Sequence, residues 1–291
     1  MADVSELIRQ RAEERETWTE ARRVERDELS QKRDSILEEM TGTPDLYAQY
    51  LNLQGDNLQC SVGNVALSIA QLKSPTRIGS LNYWHDQGRS VKDEEMRSGA
   101  KVFLPPRNKK YHGYIIGDYY DISQTTGRPF QEPIKLTGSD KRMEDALAAL
   151  IRVSPVPVVA DEEMNTPVYY DQEHLELAIN PAYNDTEIFA AMAAELTHAN
   201  FHDRGRARGY ERSYCALEAD SVAYMLCRRY GVPCRTPDLE EVGRHFEGFT
   251  PTDRGDALDL LRKTARDLST GIDRAIQPRQ QERSRRNAYS R

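Results

Sequence analysis

Residues 184–203, NDTEIFAAMAAELTHANFHD, are the stretch on which the reading of the whole chain turns. Asn184 followed three positions later by Glu187 is a capping-box pattern, so a helix starts there. Ile188, Ala191 and Met192 recur at helical spacing and mark its buried side. Three polar residues interrupt that side. At about 100° per residue, Glu195, His198 and His202 fall within about 60° of one another, on the apolar stripe itself. A carboxylate and two imidazoles buried without partners cost several kcal/mol, so they satisfy one another, meet a partner element, or hold an ion.

Outward from this helix the pattern is mixed. Upstream, VPVV (156–159), PVYYD (167–171) and LELAIN (175–180) are short runs of strand-forming residues separated by polar turns, and 143–151 reads as a short helix. Downstream, 212–230 reads as a helix closed by Arg228 and Arg229, with Gly231 just past its end and Pro233 beyond. Further helices are expected over 238–247 and 253–276, the latter with Ala257, Leu261, Ala265, Leu268 and Ile272 at helical spacing. The N-terminal part opens with a charge-dense helix over 3–40, whose few apolar anchors predict a projecting or loosely docked element. Helices follow over 46–53, 62–72 and around Trp84, then strands over 101–105 and 111–122. The expected fold class is α+β: a charged helical arm (1–43), a small α+β DNA-binding-like domain (44–140), a second α+β domain of three short strands plus helices (141–277), and a disordered basic tail (278–291) with five arginines.

Composition removes several function classes. The 291 residues are 38 % hydrophobic and 30 % charged, and no apolar run approaches the ~18 residues of a membrane span, which excludes a helical membrane protein. The N-terminal stretch carries acidic residues and no apolar segment of the signal-peptide kind, so a cytoplasmic protein is expected. Cys60, Cys215, Cys227 and Cys234 form no C-x-x-C pair and read as reduced thiols. Neither a P-loop nor a G-x-S-x-G or G-x-G-x-x-G motif is present, so nucleotide hydrolysis and serine catalysis have no foothold. The net charge of −7 is unevenly spread: residues 60–136 have 11 Lys and Arg against 7 Asp and Glu, hence +4, whereas the flanking regions are acidic. That middle segment points toward a polyanion or is a solvated basic surface.

Strands, then a helix bearing E-x-x-H, then a second helix bearing an acid, is the order of a zincin-type metallopeptidase. In such sites two histidines four apart bind Zn²⁺, the intervening Glu is the general base, and an acid on a later helix is the third ligand. Here the motif reads A-E-L-T-H: Glu195 is the candidate general base and His198 the second ligand, but Ala194 stands at the first ligand position. The combination AELTHANFHD (194–203) and LEADSVAYMLCRRYG (217–231), with SVGNVALSIAQ (61–71), WHDQGRSV (84–91) and YDISQTTG (120–127) upstream, resembles the ArdC/LtrC-like antirestriction protein family. The resemblance spans about 44–275. It implies an N-terminal single-stranded-DNA-binding domain, a zincin-like domain related to the ImmA/IrrE metallopeptidases, and carriage on mobile genetic elements. The family's third ligand falls at Ala216, so two of three expected donors are alanine.

Glu218 lies about 200° from Ala216 and faces away. A rearranged zinc site of His198, His202 and Asp220 is the alternative, since two histidines four apart on one face suit zinc. Without it no cofactor is expected, and Glu195 should lie in a buried network with His198, His202 and Asp220. For single-stranded DNA the candidates are Lys73, Arg77, Arg89, Lys92, Lys101, Arg107, Lys109 and Lys110, interleaved with Tyr83, Trp84, Tyr111 and Tyr114, although Trp84 is expected under the sheet rather than against a base. KDEEMRSGAK (92–101) stands where relatives carry a lysine- and glycine-rich run, which lowers the positive charge. The sequence thus predicts a non-catalytic accessory protein of a mobile element, binding single-stranded DNA or a protein partner. The competing expectation is an active zinc metallopeptidase with the rearranged site.

Overall fold

The computed structural model describes residues 4–106, 113–202 and 210–277. Helix α1 (Val4–Gly42) runs 39 residues. In its first half Val4, Leu7, Ile8 and Trp18 stand exposed, and the surface is laced by ion pairs such as Arg22–Glu25 and Arg23–Glu20, each worth a few tenths of a kcal/mol. Docking begins later, where Leu29, Ile36, Leu37 and Met40 are buried. Pro44 opens α2 (Pro44–Asp56), a position where its absent N–H is no loss. Ser61 then caps α3 (Val62–Gln71) by accepting from the Asn64 N–H.

The next elements are β1 (Ile78–Ser80), α4 (Leu81–Asp86), β2 (Arg89–Val91), β3 (Ala100–Leu104), β4 (Ile115–Asp121) and β5 (Thr125–Gly127). They form an antiparallel sheet in the order β1-β4-β3 and a separate pair β2-β5. Strands β1, β2 and β5 have no counterpart in the sequence reading, because three residues are too few to show a period. Trp84 is fully buried and donates its indole N–H to the Tyr120 carbonyl at 3.0 Å.

The C-terminal half comprises α5 (Lys141–Arg152), β6 (Val158–Ala160), β7 (Val168–Asp171), β8 (Glu176–Ile179), α6 (Asp185–Phe201), α7 (Ala216–Tyr230), α8 (Val242–His245) and α9 (Pro251–Ile276). Strand β8 is central, parallel to β6 and antiparallel to β7, which leaves β7 at an edge. The fold is therefore α+β. Helix α6 begins at the expected capping box: Asn184 accepts from the Glu187 N–H at 2.9 Å, and Glu187 accepts from the Asn184 N–H at 3.2 Å, worth about 1 kcal/mol. It packs against β7, α5 and α7, and α7 packs in turn on α9 and α2. One buried cluster joins Ile36, Tyr47, Leu177, Phe189, Leu196, Met225 and Ile272; Phe189 alone contributes about 2–3 kcal/mol.

Two boundaries differ from expectation. Helix α8 is four residues rather than the run 238–247. More consequential, α7 starts at Ala216, and Glu211 to Cys215 form a turn in which the Cys215 N–H donates to the Glu211 and Arg212 carbonyls. Arg212 therefore leaves from a turn instead of riding on a helix face. The far end of α7 follows the sequence: Gly231 takes φ +67° and the Val232 N–H returns to the Cys227 carbonyl at 2.9 Å. Among the described residues no helix is long and apolar enough to cross a membrane. The expected basic tail, and Arg107, Lys109, Lys110 and Tyr111, lie outside the described residues.

Candidate functional site

The polar stripe of α6 faces β7 and the turn before α7. Glu195, whose side chain is only 10 % exposed, is the centre of the arrangement. Edge strand β7 offers it the Tyr170 N–H, which donates to Oε2 at 2.8 Å. The Arg212 guanidinium closes on it as a fork, with Nη1 donating to Oε2 at 3.0 Å and Nη2 to Oε1. Both carboxylate oxygens are thereby engaged by a planar cation of matching shape. The guanidinium also lies over the Tyr169 ring, 4.9 Å from its centroid, which fixes it further.

The two histidines look elsewhere. His198 is buried, and its Nδ1 shares a hydrogen bond with the Tyr210 hydroxyl at 3.0 Å. His202 shares one with the Tyr170 hydroxyl at 2.7 Å and stacks on the Tyr210 ring at 4.7 Å and 17°. Burial, with the Arg212 charge adding to it, pushes the His198 pKa down to about 4, so its imidazole is neutral near pH 7. Desolvation pushes the Tyr210 hydroxyl up to about 12. At Arg212 burial opposes the charge, but the hydrogen bond and charge of Glu195 outweigh it, and the net shift is upward. Asp220 is raised, chiefly by desolvation, against the lowering effect of Arg235.

A cavity of about 580 Å³ opens beside these groups, lined by Gln172, Ala194, Glu195, His198, Glu211, Arg212, Ser213, Ala216 and Asp220. The structure brings Glu195, His198, Asp220 and both alanines of the sequence reading around one space. The reading is corrected on their partners. The expected network of Glu195 with His198, His202 and Asp220 is replaced by Arg212, Tyr210 and Tyr170, because Arg212 supplies a full charge that a neutral imidazole cannot. His202 is not on the cavity wall. Among the described residues no three His, Cys, Asp or Glu side chains are grouped to hold a metal ion, so the His198/His202/Asp220 site is not assembled. The donor set does not fit zinc: the cavity carries one imidazole and the carboxylates of Glu211 and Asp220, which are not grouped to hold an ion, a third carboxylate already bonded to a guanidinium, and alanines at the two positions where the resemblance puts ligands. Arg212 and Tyr210 escaped the sequence reading, since an arginine expected on a helix face gives no sign that it turns inward.

The basic candidates separate by environment. Arg77 is corrected to a structural residue: it is buried, pairs with Asp56 at 3.3 Å and Glu132 at 2.5 Å, and lies over Phe130. Arg89 is tied to Thr125 and the Arg128 carbonyl, and Lys92 donates to the Ser123 carbonyl at 2.8 Å. Lys101 pairs with Asp118 at 2.9 Å on the exposed side of β3 and β4. Lys73 is exposed in the turn after α3, and Tyr114 is the exposed aromatic before β4.

No family model and no curated protein matches the chain. Among solved structures it is similar to two crystal structures of the antirestriction protein ArdC from plasmid R388. The metal-free one is 16 % identical with a TM-score of 0.42, and the Mn(II)-bound one 18 % identical with a TM-score of 0.45. Each comparison covers 72 % of this chain and 84 % of the other.

Proposed function

We propose that the chain is a non-catalytic protein of the antirestriction type, binding single-stranded DNA through its N-terminal region and keeping a zincin-like domain without peptidase activity. One observation carries the reading: the Glu195 carboxylate accepts from Arg212 through both oxygens and from the Tyr170 N–H. A general base needs a free lone pair aimed at a water, and a metallopeptidase needs a cation with an open coordination position. A guanidinium bonded to the base offers neither, because its N–H groups take up the carboxylate lone pairs and it has no orbital to coordinate water. Zinc or another divalent ion would bring Lewis-acid chemistry, and Ala194 and Ala216 provide no donors for it.

For DNA the support is the +4 balance of residues 60–136 together with the exposed Lys73, Lys101 and Tyr114, a basic surface with an aromatic face. Metal analysis of purified protein, dialysed after loading with zinc and with manganese, tests the first half of the proposal. Substoichiometric metal is expected, and a stable 1:1 content overturns it. Fluorescence anisotropy with a single-stranded oligonucleotide at low salt tests the second half. Affinity should fall steeply with added salt, and absence of binding at low salt removes the assignment.

A further inference from the structure

We propose that Arg212 is an internal, permanent substitute for a metal ion: its guanidinium holds Glu195 in the cavity that Ala194, His198 and Ala216 also line, so that arginine and metal exclude one another. The inference rests on the non-catalytic reading above and gives the device by which the site stays folded without an ion.

Place is the first argument. Arg212 lines the same cavity as Glu195, Asp220 and the three positions, Ala194, His198 and Ala216, where the resemblance puts metal ligands. The alanines end at Cβ, and the guanidinium reaches the carboxylate from the turn that precedes α7. Had α7 begun at Arg212, as the sequence pattern predicts, the side chain would leave along a helix face and Ala216 would sit one turn further in. The local start at Ala216 lets it point at α6.

Charge is the second. Glu195 is buried, and a buried carboxylate without a cation is strongly unfavourable. The cation it meets is Arg212, held in turn by the Tyr169 ring. Guanidinium stays charged at any accessible pH and its two parallel N–H groups match the two carboxylate oxygens. Tethered to the chain, it cannot dissociate as a metal can. A divalent ion brought into the same cavity would meet a fixed positive charge, and like charges repel.

The test restores donors with and without the arginine. Zinc affinity is measured by competition with a chromophoric chelator for the Ala194→His/Ala216→Glu variant and for the same variant carrying Arg212→Ala. The Arg212→Ala form should bind zinc on the order of 100-fold more tightly. Equal affinity in the two, or no zinc binding by the form without arginine, overturns the inference. Wild-type protein run alongside keeps the two conclusions apart: 1:1 zinc in wild type removes the non-catalytic reading, whereas metal-free wild type with arginine-independent binding in the variants removes only this one. A metal-free readout uses Arg212→Ala alone. Millimolar ethylguanidinium should raise its thermal midpoint, and equimolar ethylammonium should raise it less; no difference between the two ions counts against a fork-shaped cation site.

Discussion

Removing Arg212 should destabilise the protein far more than losing a surface arginine. The Arg212→Gln substitution leaves Glu195 with the Tyr170 N–H and a neutral amide, its side chain 10 % exposed. Breaking a buried pair by deleting one partner costs about 3–5 kcal/mol. Arg212 is itself 35 % exposed, so solvent screens part of the interaction and the expected loss is about 2–4 kcal/mol. The converse substitution, Glu195→Gln, should cost less, about 1–2 kcal/mol, because a released guanidinium can turn toward solvent while a released carboxylate cannot. The double variant should then be more stable than the sum of the singles implies, with a coupling of about 2 kcal/mol. Equilibrium urea unfolding of the four proteins at pH 7 supplies the cycle, and repetition in 1 M NaCl separates a desolvated pair from a screened one. If Arg212→Gln costs under about 0.5 kcal/mol and the coupling vanishes, the pair is an exposed contact and the account of the site fails.

Four further outcomes are expected. The His198 ring, with its pKa pushed down to about 4 by burial and by Arg212, binds fewer protons folded than unfolded between about pH 6.5 and 4. Its contribution is therefore fully present above pH 6.5 and is lost as pH falls through that window, by up to about 3 kcal/mol; its NMR resonance should not titrate between pH 6 and 8. Arg77→Ala should cost about 2–4 kcal/mol by leaving Asp56 without that partner in a buried setting. By contrast Lys73→Ala should stay within about 0.5 kcal/mol of wild type in unfolding and reduce the salt slope of oligonucleotide binding by about 1; the opposite pattern would move the DNA contact elsewhere. Gly231→Ala, at φ +67° and with the Lys135 side chain 2.9 Å from an added Cβ, should cost about 1 kcal/mol, read as a lower urea midpoint with an unchanged slope.

The legible features are those written in local sequence. The capping box at Asn184 and Glu187 and the Gly231 stop each depend on residues within one turn, and all are found in place. Strands β1, β2 and β5 were not legible, and β2 and β5 exist only because Arg89 to Val91 pair with Thr125 to Gly127 across the chain. The packing of α2 against α7, with the Tyr47 hydroxyl 3.1 Å from Ser221 Oγ, is likewise a long-range fact. At the site, positions were legible and partners were not. Spacing placed Glu195 and His198 on one face with Ala194 beside them, but nothing in E-R-S-Y (211–214) shows that the helix waits until Ala216 and frees Arg212.

That division explains a feature of the helix that ligand loss alone leaves open: a buried glutamate at 195 in a site whose other donor positions are alanine. If Glu195 served only as a base, its burial would be pure expense once no water is activated, and an apolar residue of similar size would be favoured. Its oxygens instead join three elements. The Tyr170 N–H belongs to an edge strand, whose outward donors go unpaired unless something covers them, and Arg212 belongs to the turn that starts α7. Glu195 therefore ties β7 and the entry of α7 to α6, while Phe189, Met192, Ala193 and Leu196 hold α6 in the core. An apolar replacement would remove the acceptor that the Tyr170 N–H and the Arg212 fork share, a loss of about 1–3 kcal/mol for the buried backbone donor, while the guanidinium could turn toward solvent. The carboxylate joins β7 and the entry of α7 to α6 through the same two oxygens that a peptidase would use, and on the non-catalytic reading proposed above the guanidinium that satisfies them is what removes the catalytic option.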